Sequence, residues 1–248
     1  MGEDLMAIEF VGATSASTTG MTLTVPVPAG GQAGDLWVMV LRSWTYPVAN
    51  IGWGALPAYG VVGQWVERLV NTSRGGGSNL YVFTGFVDPA ATDSPLVYFS
   101  GSGNHHATLL SFRGVDPDSP VNAVAQAYSS SGANNITPSV TTTVPNCMVV
   151  RAVAAGFSLS NGSCTWVSTV DELTDNRSSS GYSYMSTAAS SSGPSPGPVG
   201  TATATYSTAG YGIMATIALA PKATSRLHVG STSVPLMLGS TEVEIKGP

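Results

Sequence analysis

Apolar and β-branched runs of about five to ten residues recur along this chain between clusters of Gly, Pro, Asn and Ser, and helical patterning is scarce. Such spacing belongs to an all-β sandwich or barrel, because each short run lines one face of a strand and each cluster lets the chain reverse. Met21-Thr-Leu-Thr-Val-Pro-Val27 alternates apolar and polar residues as a half-buried strand does, and Pro28 to Gly34 comes next as a turn. Leu36-Trp-Val-Met-Val-Leu41 is continuously apolar, which suits a central strand covered on both faces. Further strands are expected at 79–87, 96–101, 107–112, 136–144, 148–157, 164–169, 180–187, 200–207 and 211–220, with Arg113 to Pro120 a turn rich in Asp and Pro. Together these predict a jelly-roll-like antiparallel β-sandwich over residues 1–221. The long polar or Gly-rich loops, 56–63, 72–78 and 190–199, are where such a scaffold would bind.

Beyond Pro221 the character changes. Lys222 to Arg226 reads as a linker, and the chain after it holds a short repeat, His228 to Leu236 and Met237 to Ile245, whose Gly-Ser-Thr-x-Val cores stand nine residues apart. Residues 222–248 are therefore expected to form a short C-terminal β-hairpin extension. An isolated hairpin is marginal in water, so this one must dock on the body, on a sister copy or on a partner. Its apolar residues Val229, Val234, Leu236, Leu238, Val243 and Ile245 are the expected assembly contacts.

Only 9% of the 248 residues are Asp, Glu, Lys or Arg, against 43% hydrophobic, so the surface must be built largely of Ser, Thr, Asn and Gly. Nine Lys and Arg and a formal charge of -5 leave little with which to neutralise phosphates, and nucleic acid is not an expected partner. Low charge density suits copies packed in an assembly, and Gly- and Ser-rich strands are poorly protected at their edges. A homo-oligomer, with a trimer as one form, is expected. Gly, Pro or a charge interrupts every apolar run short of the roughly eighteen residues of a spanning helix, so membrane insertion is not expected. The acidic start Met1-Gly2-Glu3-Asp4 is unlike a secretory signal. Cys147 and Cys164 are too few for a disulfide framework and are expected to be small buried hydrophobes, a bridge between neighbouring strands being the alternative.

Candidate chemistry is sparse. Asp171-Glu-Leu-Thr-Asp175 is the strongest enzyme candidate, because a glycosidase using Glu172 and Asp175 would need two carboxyls at a set separation across a cleft; solvated loop carboxylates are the simpler expectation. His105 and His106 would point to opposite faces of a strand and lack two further ligands nearby, so an exposed turn is expected there rather than a metal site. Asp116 and Asp118 lack the spaced oxygen ligands of a calcium loop, Gly75-Gly-Gly77 lacks the Lys-Ser/Thr of a phosphate loop, and the Ser-rich stretch at 178–181 lacks the leading glycine of a nucleophile elbow. No catalytic residue, metal or cofactor is expected. Trp44, Tyr46, Trp53 and Tyr59, with Trp65 beyond them, crowd one segment, and exposed rings of this kind hold sugars or peptides at low entropy cost. The competing expectation is that Trp44 and Trp65 fill the core.

The segments Thr22 to Leu41, Phe112-Arg-Gly-Val-Asp-Pro-Asp-Ser-Pro-Val121, Pro138 to Val153 and Met214-Ala-Thr-Ile-Ala-Leu-Ala-Pro221 span almost the whole body. In their order they resemble a β-sandwich domain of minor tail proteins of actinobacterial siphophages, and the Leu-Gly-Ser-Thr-x-Val tail is similar to C-terminal segments of such virion proteins. The resemblance implies a place in the virion tail or tail tip, synthesis in the host cytoplasm without a signal peptide, other phage tail proteins as partners, and contact with the host surface. It brings no catalytic residues. The rival expectation is a carbohydrate-binding or adhesion module that recognises host cell-wall glycan through the aromatic segment. Loss of glycan binding in a Trp53→Ala variant supports that rival, and no binding by the natural protein rejects it.

Overall fold

The computed structural model describes residues 5–43, 61–72, 79–87, 94–99, 101–130, 132–156, 163–177, 183–208, 210–223, 226–229 and 232–235, and these contain strands and no helix. The first half contributes β1 (Glu9–Thr18), β2 (Thr22–Thr24), β3 (Leu36–Ser43), β4 (Val61–Thr72), β5 (Asn79–Val87), β6 (Leu96–Tyr98) and β7 (His105–Arg113). The second contributes β8 (Val121–Ser129), β9 (Asn134–Thr137), β10 (Thr141–Thr142), β11 (Met148–Gly156), β12 (Cys164–Trp166), β13 (Asp171–Arg177), β14 (Ser183–Ser191), β15 (Gly197–Pro198), β16 (Ala202–Tyr206) and β17 (Tyr211–Leu219). A hairpin of β18 (Arg226–Val229) and β19 (Thr232–Pro235) comes last.

Two five-stranded antiparallel sheets lie face to face, so the expected antiparallel β-sandwich is the fold. Between them Leu36, Val38, Val40, Leu110 and Phe112 pack against Val150, Ala152, Ile213 and Ile217. Each outer face is covered in turn. Trp37, Met39 and Leu41 meet Leu23, Val97 and Phe99 from β2–β6 and the residue beyond it, while Val153 and Met214 meet Cys164, Ala204 and Tyr206 from β12–β16. A strand covered on both faces has no position left for polar alternation, which is why β3 is buried at every residue. Arg151, on the outer face of β11, is also buried; it ties the end of β9 to the segment before β16 by donating to Thr137 Oγ1 and Gly200 O, each at 3.2 Å.

The two large sheets are the same unit used twice. The first is ordered β1-β7-β3-β5-β4, and the second, read from its β8 edge, β8-β17-β11-β14-β13. Leu36 pairs with Phe86 and Phe112, and Met148 pairs with Ser191 and Leu219, which sets residue equivalences between the halves. Two of the irregularities also repeat. The ladder skips Val11 in β1 and Asn122 at the same point of β8, and it skips Arg68 in β4 and Leu173 at the same point of β13. Gly34 and Asn146, each two residues before its strand, both hold positive φ, 84° and 56°. Across the core β4 meets β8 and β13 meets β1, while β5 meets β17 and β14 meets β7. Those reciprocal contacts are the signature of a two-fold, self-complementary interface, here closed within one chain.

Both ends of the body meet at one end of the sandwich. Leu5 bridges Ala223, Met6 N donates to Lys222 O at 2.9 Å, and Lys222 N donates to Gly114 O at 2.8 Å. The pairing of the body thus reaches Ala223, two residues past the expected boundary at Pro221. Gly114 holds φ 81°, and a Cβ there would stand 2.8 Å from Ala7 O. A Gly114→Ala variant is accordingly expected to loosen the N-terminal segment, read as faster amide exchange at Met6 and Lys222, with a stability loss of about 1–2 kcal/mol.

Several sequence expectations need correction. The strand expected over Met21–Val27 is confined to β2, and the one expected over 136–144 is split into β9 and β10. β1, β4, β8 and β13 were not expected as strands at all, and Asp171–Asp175 lies in β13 rather than in a loop. His105 and His106 are not an exposed turn: they open β7 and are 0% and 1% exposed.

Candidate functional site

A cleft of about 820 Å3 opens at the end of the sandwich where the termini meet. The turn before β3 supplies Gln32 and Asp35, β5 supplies Phe86 and Val87, and Met6, Val115, Pro117 and Lys222 close it. Its polar anchor is Asp35, which is 2% exposed and accepts Gln32 N at 2.8 Å. Arg113 donates to both Asp35 oxygens, Nε to Oδ1 and Nη2 to Oδ2 at 2.9 Å each, and Nη2 also donates to Gly30 O at 3.1 Å. The hydrogen bond to Asp35 holds the guanidinium firmly charged, with Glu9 adding to it from 3.9 Å. Volume, apolar walls and a few fixed polar groups are what a binding cleft requires. The guanidinium and the buried carboxylate are committed to each other.

The second half carries the related groove in degenerate form. There Asp35 is replaced by Cys147 and Arg113 by Ala220, and Leu5, Ala7 and Ile8 lie over Asn146, Met148 and Ser191, leaving about 340 Å3. The charged pair and the larger opening go together in the first half alone.

A second polar cluster joins β12 to β13 and β14. The bulge at Leu173 turns Glu172, opposite Ala188, and Asp175, opposite Ser186, to one face. Burial raises both carboxyls, and Asp175 adds to the rise at Glu172. Tyr184 OH accepts Cys164 N at 3.1 Å, Trp166 Nε1 donates to Ser186 Oγ at 2.7 Å, and Ser186 Oγ donates to Thr174 O at 2.9 Å. Burial pushes the Cys164 thiol up to about 12, which makes it a poor nucleophile. The two carboxyls share one face of one strand instead of facing each other across a cleft, so the network fastens the small sheet to the large one.

One hydrogen-bonded pair escaped sequence reading. Ser43 Oγ lies 3.0 Å from His105 Nδ1, and His105 Nε2 lies 3.1 Å from Gly101 O. The carbonyl can only accept, so Nε2 carries the proton and Nδ1 accepts the serine hydroxyl. That is the relation of a nucleophile to its base, but both residues have zero exposure and Phe99 stacks on the imidazole at 3.6 Å. The pair is sealed in the outer core. His106 points the other way, into the main core, as adjacent strand residues must.

Trp44, Tyr46, Trp53 and Tyr59 lie outside the described residues. Trp65 is half-buried and stacks on Trp37 with ring centroids 6.3 Å apart, in line with a core role. Val229 and Val234 lie in the hairpin, opposite Thr232 and Leu227, whereas Leu236, Leu238, Val243 and Ile245 fall outside the described residues. Cys147 and Cys164 are both buried and unbridged. Among the described residues no three His, Cys, Asp or Glu side chains converge as a metal site would need, and no helix is long and apolar enough to cross a membrane. Comparison with protein-family models, curated proteins and solved structures finds no match in any of the three.

Proposed function

We propose that this chain is a non-enzymatic structural protein of a virion, a minor tail or tail-tip protein that assembles with other phage tail proteins and with copies of itself and takes part in host-surface attachment. The observation that carries the reading is the arrangement of the body. Both large sheets are covered on both faces, and the two ends of the body are tied together beside the cleft of about 820 Å3. A closed block with both chain ends and a recess at one end is suited to being mounted on an assembly. The edges support the same reading. β8 has no charged residue and exposes Val124 and Tyr128, and β1 carries charge only at Glu9, so neither has the lysines that guard an edge in a solitary protein.

Light scattering coupled to size exclusion tests this on the full chain and on a chain ending at Ala223, which keeps the bonds between Lys222 and its partners. The full chain is expected to be an oligomer that falls to monomers on truncation. A full chain that stays monomeric at high concentration rejects self-assembly.

A further inference from the structure

Trp37 and Ser111 stand side by side on β3 and β7, beneath the turn at 28–34, and are 1% and 0% exposed. Neither Trp37 Nε1 nor Ser111 Oγ has a hydrogen-bond partner within the protein. An unsatisfied buried donor costs more than a hydrogen bond gains, so two adjacent ones in a native core call for a cause.

Gly31 supplies it. A Cβ built on Gly31 would have as its three nearest heavy atoms Pro28 O at 3.4 Å, Ser111 Oγ at 3.9 Å and Trp37 Nε1 at 4.0 Å. All three are polar, and they converge on the space that a side chain would fill. The other half of the molecule serves as a control. By strand register Trp37 corresponds to Val149 and Ser111 to Ala218, and counting back from the paired strand starts sets Gly31 against Thr143. Where the polar pair is absent the glycine is absent too, and Thr143 bonds instead with Asn122, accepting its Nδ2 at 2.7 Å and donating its own backbone N at 2.8 Å.

We propose that the space under Gly31 is a binding site for one ordered water, which accepts the indole N–H of Trp37, donates to Pro28 O and shares a hydrogen bond with the Ser111 hydroxyl. Three partners are the usual complement of a buried water. The water ties the 28–34 turn to the sheet beneath. Since Gln32, Ala33 and Gly34 of that turn line the cleft, it also fixes the cleft's wall.

The sign of one substitution decides the matter. Gly31 does not hold a left-handed φ, and an added methyl would meet nothing nearer than 3.4 Å. Without a water, Gly31→Ala should therefore leave stability unchanged or raise it by restricting the unfolded chain. With the water, the methyl expels it and strands both donors, raising the unfolding equilibrium constant roughly tenfold. In a Trp37→Phe, Ser111→Ala background the same substitution is expected to lose that penalty. An independent readout is the magnetisation transfer from water to the Trp37 indole proton in the natural protein. A neutral or stabilising Gly31→Ala in the natural background, or an indole proton with no bound-water transfer, overturns the proposal.

Discussion

Lowering the pH from 7 to 4 is expected to remove about 3 kcal/mol of stability through His106 alone. Its imidazole lies in the main core beside Arg42, and burial first, with the Arg42 charge second, pushes it down to about 4. The unfolded chain binds the proton near 6.5, so between 6.5 and 4 it takes up a proton that the folded chain refuses. The stabilisation is complete above about 6.5, declines through that window and is gone below about 4; the gap, at about 1.4 kcal/mol per pH unit, gives the figure. His105, lowered by burial, acts in the same direction. Glu172 and Asp175 are raised and oppose it, since their protonated forms are favoured on folding, but both are partly solvated and their share is small. Urea unfolding at pH 7, 5.5 and 4 measures the slope, and His106→Gln should flatten it. Parallel slopes in the two proteins would remove His106 as its source.

Gly212→Ala is expected to cost about 3 kcal/mol, the upper end of what overpacking does. Gly212 lies in β17 under β9, and a Cβ there would fall 1.8 Å from Asn135 Oδ1 and 2.6 Å from Asn135 Cγ. Asn135 is fully buried, so it can swing aside only by displacing packed neighbours. Its Oδ1 has no hydrogen-bond partner and its Nδ2 makes one long bond, to Ala133 O at 3.4 Å, so Asn135→Ala should itself cost less than Gly212→Ala and should recover most of the loss in the double variant. Chemical denaturation of the four proteins closes the cycle. Additive effects would mean that the small sheet does not press on the large one at this point.

Within the two large sheets, the strands that the sequence announces are the inner ones. β3, β5, β7, β11 and β17 sit between neighbours and under covering sheets, so nearly every residue in them is buried and each is rich in apolar residues. The four large-sheet strands it conceals are the four edges, β1, β4, β8 and β13. An edge strand is half solvated, and here β1 and β8 are rich in Ala, Ser, Thr, Gly and Asn, residues that also make loops. The duplication was hidden for a related reason. A covered strand asks only for volume and apolarity, so Leu36 can take the place that Met148 holds in the other half, and Trp37 that of Val149. Glu67 with Glu172 and Asn71 with Asn176 are among the identities that survive, and the matching ladders, bulges and positive-φ sites carry the rest. The nine-residue repeat of the tail was legible because it persists as letters.

The cleft was not legible because its parts are scattered from Met6 to Lys222 and meet only when the halves close on each other. A local sign did exist: Asp35 directly follows a glycine that must turn left-handed and directly precedes the most apolar strand of the chain, a poor place for a carboxylate unless a cation awaits it. His105 and His106 misled for the opposite reason. Two polar residues after a Gly-rich stretch look like a turn, yet each has a place prepared on its own side of the sheet.

Two equivalent halves share one core, and calorimetry of the full chain tests that most directly. Phe112, Val38 and Leu110 from one half and Val150, Ile213 and Ile217 from the other belong to one cluster, so neither half can open without exposing the other. A single transition is expected, with the calorimetric enthalpy equal to the van't Hoff enthalpy. Two resolved transitions, each carrying about half of the heat, would show two independent domains and contradict the shared core.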